Sequence, residues 1–224
     1  MTRFPARNKV PELTVFASLL RMTTKYGFSD IREALVEDLK GAYPTKWEDF
    51  ETAKVLGENV FGSPKPHPKA VLNLFLEQRI KFALPFAAYR AGLGGPTTHA
   101  VGKPGPVIPR PTLVYIIHGM GRIRAMLIFI VQRVAYTWDL GACPKSACIL
   151  NVCKRSAKRK IEALDMISEV LQDNGGDMLS SLQLSDSFCA DCAEQLKYIN
   201  RECREKVVWA ELPCLLGWKG WEGF

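Results

Sequence analysis

Histidine is scarce in this chain. Three occur in 224 residues, His67, His99 and His118. His67 and His99 sit among prolines and glycines, and His118 lies in an apolar run. Nucleophilic catalysis needs a base beside a nucleophile and an acid to orient it. No local motif supplies that set, and His118 reads as a core or boundary residue. No cysteine precedes Cys143, and no apolar run opens the chain between Met1 and Pro11. A secretory signal is therefore not expected. Thiols without a secretory route point to a reducing intracellular compartment, cytoplasm or nucleus, where disulfides are disfavoured. Long uncharged hydrophobic runs are lacking too. The most apolar stretch, Leu113 to Val131, is broken by His118, Arg122 and Arg124. Charges at mid-span argue against a membrane helix and for a buried amphipathic one.

Phosphate-cradling loops are also missing. Gly92-Leu93-Gly94-Gly95 and Gly102-Lys103-Pro104-Gly105 carry no Walker pattern, and the nearby prolines reduce the supply of backbone N–H groups. Gly119-Met120-Gly121 has neither a third glycine nor a preceding parallel strand. No repeat of fixed period and no strand-rich block is visible. These absences lead to the expectation of a protein that is not an enzyme and needs no catalytic cofactor.

What remains is ordinary for a soluble globular chain. Hydrophobic residues make up 47% and charged residues 24%, enough apolar material for a core without staples. The formal net charge of +7 is spread along the sequence, and a solvated surface accounts for it. The one dense basic cluster is Lys154, Arg155, Lys158, Arg159 and Lys160. On a helix, Lys154, Arg155, Lys158 and Arg159 share a flank. That makes a nuclear or nucleic-acid-associated role the alternative function, with a solvated helix face as the preferred account.

Helical periodicity dominates. Leu13, Phe16, Ala17 and Leu20 make one apolar face, and Lys25-Tyr26-Gly27 closes that helix. Ser29 is placed to cap the next helix, in which Ile31, Leu35 and Leu39 recur at four-residue spacing. Thr45 to Glu48 has the form of a capping box leading into Trp47 and Phe50. Pro68 can open a helix carrying Val71, Leu72, Phe75 and Leu76. Pro85 begins or kinks another short helix, which Gly92 should end. A long helix is expected from about Thr112 to Trp138, another over Asn151 to Asp173, and a last one ending at Pro213. The last helix should bury Phe188, Cys192, Leu196, Ile199, Cys203 and Val207, with Arg201 and Arg204 turned away. Trp218 and Trp221 should fold back, because tryptophan needs burial for most of its area. The expectation is thus an all-α, irregular multi-helix array in two subdomains, residues 1–95 and 112–224, joined by a Gly/Pro-rich linker at 96–111.

The cysteines form two short pairs, Cys143/Cys148 and Cys189/Cys192. Zinc favours four soft ligands in a tetrahedron, and pairs on turns supply two each. A closed structural zinc site of Cys143, Cys148, Cys189 and Cys192 is one account. The other is cysteine as a small buried hydrophobe, and the spacing leaves both open.

Leu19-Leu20-Arg21-Met22-Thr23-Thr24-Lys25-Tyr26-Gly27-Phe28, continuing through Ile31-Arg32 and Ala34-Leu35, resembles the helix pair that closes a BTB/POZ domain. Tyr43-Pro44-Thr45 and Trp47 are similar to the segment that follows in BTB proteins of mushroom-forming fungi. Phe188-Cys189-Ala190-Asp191-Cys192, Trp209-Ala210-Glu211-Leu212-Pro213 and Leu216-Gly217-Trp218 resemble the ending of that group, which carries a pair similar to Cys143/Cys148. The resemblance runs from about Phe16 to Trp221. It departs in one respect, because the BTB core should precede Phe16 and only about fifteen residues do. Dimerisation and cullin binding belong to that core and are not carried over. The charge pattern leads to neither membrane nor nucleic acid as the expected partner, while the resemblance implies a protein-interaction or adaptor role with other proteins as partners. It also implies that Leu13, Phe16 and Leu20 are left uncovered, as a patch favouring self-association.

Overall fold

The structure is a computed structural model and describes residues 12–40, 42–55, 61, 66–93, 107–136 and 190–221. Of the described residues 79% are helical and none lies in a strand, which makes the fold all-α. The β-branched run at Leu113 to Ile117 is accordingly helix.

Helix α1 spans Leu13–Tyr26 and buries Phe16, Ala17, Leu20 and Thr23 along one face. It stops where Gly27 enters the left-handed region at φ 69°, ψ 26°, and Phe28 N–H reaches back to the Thr23 carbonyl at 2.9 Å. Glycine reaches this conformation at no steric cost. Helix α2, Ser29–Lys40, buries Leu35 and Leu39. Ser29 is its first helical residue, and the Phe28 carbonyl accepts the opening bond from Arg32 N–H. Helix α3, Trp47–Val55, starts two residues after Thr45. Helix α4, Pro68–Glu77, opens on proline as expected, with His67 as its cap: Nδ1 accepts from Lys69 N–H at 3.2 Å.

A 3₁₀ turn at Lys81–Ala83 leads into α5, Leu84–Leu93, which is buried along most of its length. Gly92 does not end this helix but lies in its last turn. A Cβ there would sit 2.6 Å from Met120 Cγ and 3.1 Å from Ile116 Cγ2, so its bare face admits the following helix. That helix, α6, runs Arg110–Tyr136 and buries Ile116, Met120, Ile123, Leu127 and Ile130. The 4-3-4-3 spacing of these residues is one stripe of a helix.

After α6 the description resumes with α7, Ala190–Cys203. Its ladder widens into a π-turn over Arg204–Trp209, where Ala210 N–H bonds the Glu205 carbonyl, and then a four-residue helix α8, Leu212–Leu215. Helix α6 packs against α5, α7, the π-turn and α8. Residues on both sides of the Gly/Pro-rich stretch contribute to one buried cluster, from Phe16 and Leu20 through Phe75 and Tyr89 to Trp209 and Leu216.

Aromatic rings bind the two ends of the described chain. Trp209 lies 5.0 Å from Phe50, 5.8 Å from Trp47 and 5.9 Å from Phe86, and it stacks on Trp221 at 4.9 Å. Its indole N–H reaches the Thr45 carbonyl at 3.3 Å, while Trp221 donates to the Trp209 carbonyl at 3.1 Å. The tail does fold back, with Trp218 and Trp221 partly buried against the core.

Candidate interaction surfaces

Three polar residues of α1 and α2 act together. Arg21 on α1 makes a two-pronged pair with Glu77 at the end of α4, Nε to Oε1 and Nη2 to Oε2, both 2.7 Å. Arg32 on α2 donates to the Gln78 carbonyl at 2.8 Å. The Thr24 hydroxyl shares its proton between the Leu20 carbonyl at 2.9 Å and Gln78 Oε1 at 3.2 Å. The hydrogen bonds from Arg21 hold the Glu77 carboxyl below the usual carboxylate range and raise the Arg21 guanidinium in return. This is a clamp between the α1–α2 pair and α4. Arg21 and Glu77 are half-exposed while Gln78 is buried, and the groups engage one another, an arrangement that positions helices.

Above the clamp, α1 carries a second apolar stripe. Val15, Leu19, Met22 and Tyr26 follow at i, i+4, i+7 and i+11, which places them on one face. Leu19 is partly buried, whereas Val15, Met22 and Tyr26 are 49%, 53% and 56% exposed. The Tyr26 ring lies 6.2 Å from Phe28, and Ile31 follows one turn later; both are also half-exposed. The uncovered apolar surface is therefore not the expected one. Phe16 and Leu20 are fully buried by the described core, Phe16 packing edge-on against Phe61 at 5.4 Å, and Leu13 is partly covered. A three-four spacing fits both stripes, and only the packing partners separate them.

The outward face of α6 is the second exposed apolar region. It shows Val114, Tyr115, Ile117 and Phe129 to solvent, together with His118 and Arg122. His118 is thus exposed rather than at the core. The helix as a whole is half-covered rather than buried, because among the described residues its packing partners lie on one side. By length and composition alone Arg110–Ile130 could cross a membrane, but one face of it is committed to α5, α7 and α8. Of the Gly-Met-Gly triplet, packing accounts for Gly119. A Cβ at Gly119 would sit 2.5 Å from the Leu215 carbonyl oxygen, so glycine lets α8 approach.

The last helix departs most from its expected face. Asn200 and Arg204 are 3% and 2% exposed, and Arg204 Nε donates to Asn200 Oδ1 at 3.0 Å. Val207, expected inside, is exposed, and Cys203 is only partly buried. Burying Trp209 and Val208 sets the rotation, and the wide π-turn delivers it. No property of the sequence distinguishes Arg204 from the surface arginines around it.

Of the proposed zinc ligands, Cys143, Cys148 and Cys189 lie outside the described residues. Cys192 falls in the first turn of α7. The basic cluster Lys154, Arg155, Lys158 and Arg159, and His99, also lie outside them. Among the described residues, no group of three or more His, Cys, Asp or Glu side chains is placed to hold a metal ion. No family model, curated protein or solved structure matches the chain.

Proposed function

We propose that this chain is a non-enzymatic protein-interaction module of the adaptor type. The observation that carries this reading is the outward face of α6. Val114, Ile117 and Phe129 stand in solvent on a helix whose opposite stripe is fixed in the core. Large apolar side chains held outward on a rigid element suit a partner surface, since little ordering entropy remains to be lost on binding. Arginine and aromatic residues, which dominate binding energy at interfaces, flank that face as Arg122, Tyr115 and Phe129. The reading agrees with what the BTB-like segments imply, an intracellular protein that works by holding other proteins. Cross-linking in cells followed by mass spectrometry tests it. The wild-type chain should bring down a reproducible stoichiometric partner, which Val114→Glu with Phe129→Glu should lose while helical content is unchanged. An identical partner set from both chains would overturn the reading.

A further inference from the structure

We propose that the corner formed by α1 and α2 is a self-association surface whose occupant is a second copy of this chain. The corner is continuous: Val15, Leu19, Met22 and Tyr26 run along α1, the Tyr26 ring meets Phe28, and Ile31 lies one turn further on α2. Ala34 and Asp38 extend the Ile31 line at i+3 and i+7, and both are exposed.

Charge selects the occupant. Helix α1 carries Arg21 and Lys25 and no acid. Arg21 is turned to Glu77, which leaves Lys25, poised 5.3 Å above the Tyr26 ring, as the cation at the corner among the described residues. Helix α2 carries Asp30, Glu33, Glu37 and Asp38 against Arg32 and Lys40. Lys40 pairs with Glu37, and Arg32 is turned to the Gln78 carbonyl. One edge of the patch is therefore positive and the other negative. A surface of a single charge sign, such as an anionic bilayer, is repelled by one of the two edges. A two-fold related copy presents the opposite edge to each, which is the self-complementarity an isologous interface requires. The six apolar side chains expose on the order of 500 Å², below the roughly 800 Å² that each partner brings to a standard interface. The charged edges must supply the rest, and association in the micromolar range is expected.

Sedimentation of the purified full chain across the micromolar range tests this, with no other protein present. The wild type should pass from monomer to dimer as concentration rises. Met22→Glu and Tyr26→Glu should each raise the dissociation constant at least tenfold, with helical content and thermal midpoint retained, since both side chains already stand half in water. Asp38→Lys should weaken association several-fold by removing the negative edge. Val114→Glu on α6 should leave it unchanged, which separates this surface from the one that carries the proposed function. A wild type that stays monomeric, or a dimer indifferent to Met22→Glu, Tyr26→Glu and Asp38→Lys, would overturn the proposal and leave heterotypic binding at α6 standing.

Discussion

Three glycines, one in α5 and two in α6, have unlike surroundings, and alanine scanning should separate them. At Gly119 the obstacle to a Cβ is a backbone carbonyl, which cannot swing aside. Gly119→Ala is expected to cost about 2–3 kcal/mol, in the overpacking range. At Gly92 the nearest atoms belong to the Met120 side chain, which can shift, so Gly92→Ala should cost about 1 kcal/mol. Gly121 has nothing near its missing Cβ, and Gly121→Ala should stabilise α6 by up to about 1 kcal/mol. Urea unfolding of the three variants gives the ranking; a stabilising Gly119→Ala would contradict the close packing of α8. Glu77 supports a prediction in pH. Its folded-state titration is depressed by Arg21, so the stability it contributes is present at neutral pH and is lost as pH falls through the acid range of that carboxyl. Because the pair is half-exposed, Glu77→Gln should cost no more than about 1 kcal/mol at neutral pH. The difference from wild type should vanish in acid, as stability curves measured at both pH values would show. At this scale the sequence was a partial guide. Pro68 announced its helix start, but nothing local showed that His67 would cap it or that Arg204 would be buried.

Among the elements, the two helix ends at Gly27 and Arg79 make a natural comparison. Helix α4 closes with Ile80 N–H on the Phe75 carbonyl at 2.9 Å and Arg79 N–H on the Leu76 carbonyl at 3.4 Å. Ile80 and Phe75 are both buried beneath that turn. This geometry requires a left-handed residue, and Arg79 occupies it at φ 53°. A side chain with a Cβ is strained there by about 1 kcal/mol, which Gly27 avoids on α1. Arg79→Gly should therefore raise stability by about 0.5–1 kcal/mol, readable as a higher urea midpoint. A lower midpoint would mean that the Arg79 side chain makes a contact worth more than the strain. Helix positions were legible because Leu35/Leu39 and Val71/Leu72/Phe75 leave only one helical face to bury. The α7 face was not, since Ile199/Cys203/Val207 and Asn200/Arg204/Val208 are adjacent stripes one residue apart. Sequence favours the more apolar stripe, but the large ring of Trp209 decides the rotation, and that choice depends on Trp47, Phe50 and Phe86 far away in the chain.

For the molecule as a whole, Trp209 is the side chain on which most depends. It touches rings from α3, α5 and the tail. Trp209→Ala should cost about 3–5 kcal/mol, the usual penalty for deleting a buried aromatic. Against a typical total of about 5–15 kcal/mol, the variant would be marginally stable. Near-native calorimetric stability of that variant would show that the aromatic hub is peripheral. The Arg201–Glu51 pair at 2.8 Å adds an α7–α3 connection at the surface and cannot replace the hub.

The same hub has a consequence for how the chain is made. A ribosome delivers residues in order, at about 5–20 per second. Trp47, Phe50 and Phe86 leave the exit tunnel long before Trp209 and Trp221 exist. For the intervening seconds the nascent chain presents a sticky aromatic surface that Trp209 has yet to cover. A transcript cut short before codon 209 would leave that surface open for good. Its product should be held by chaperones or degraded, whatever the quality of the helices already formed.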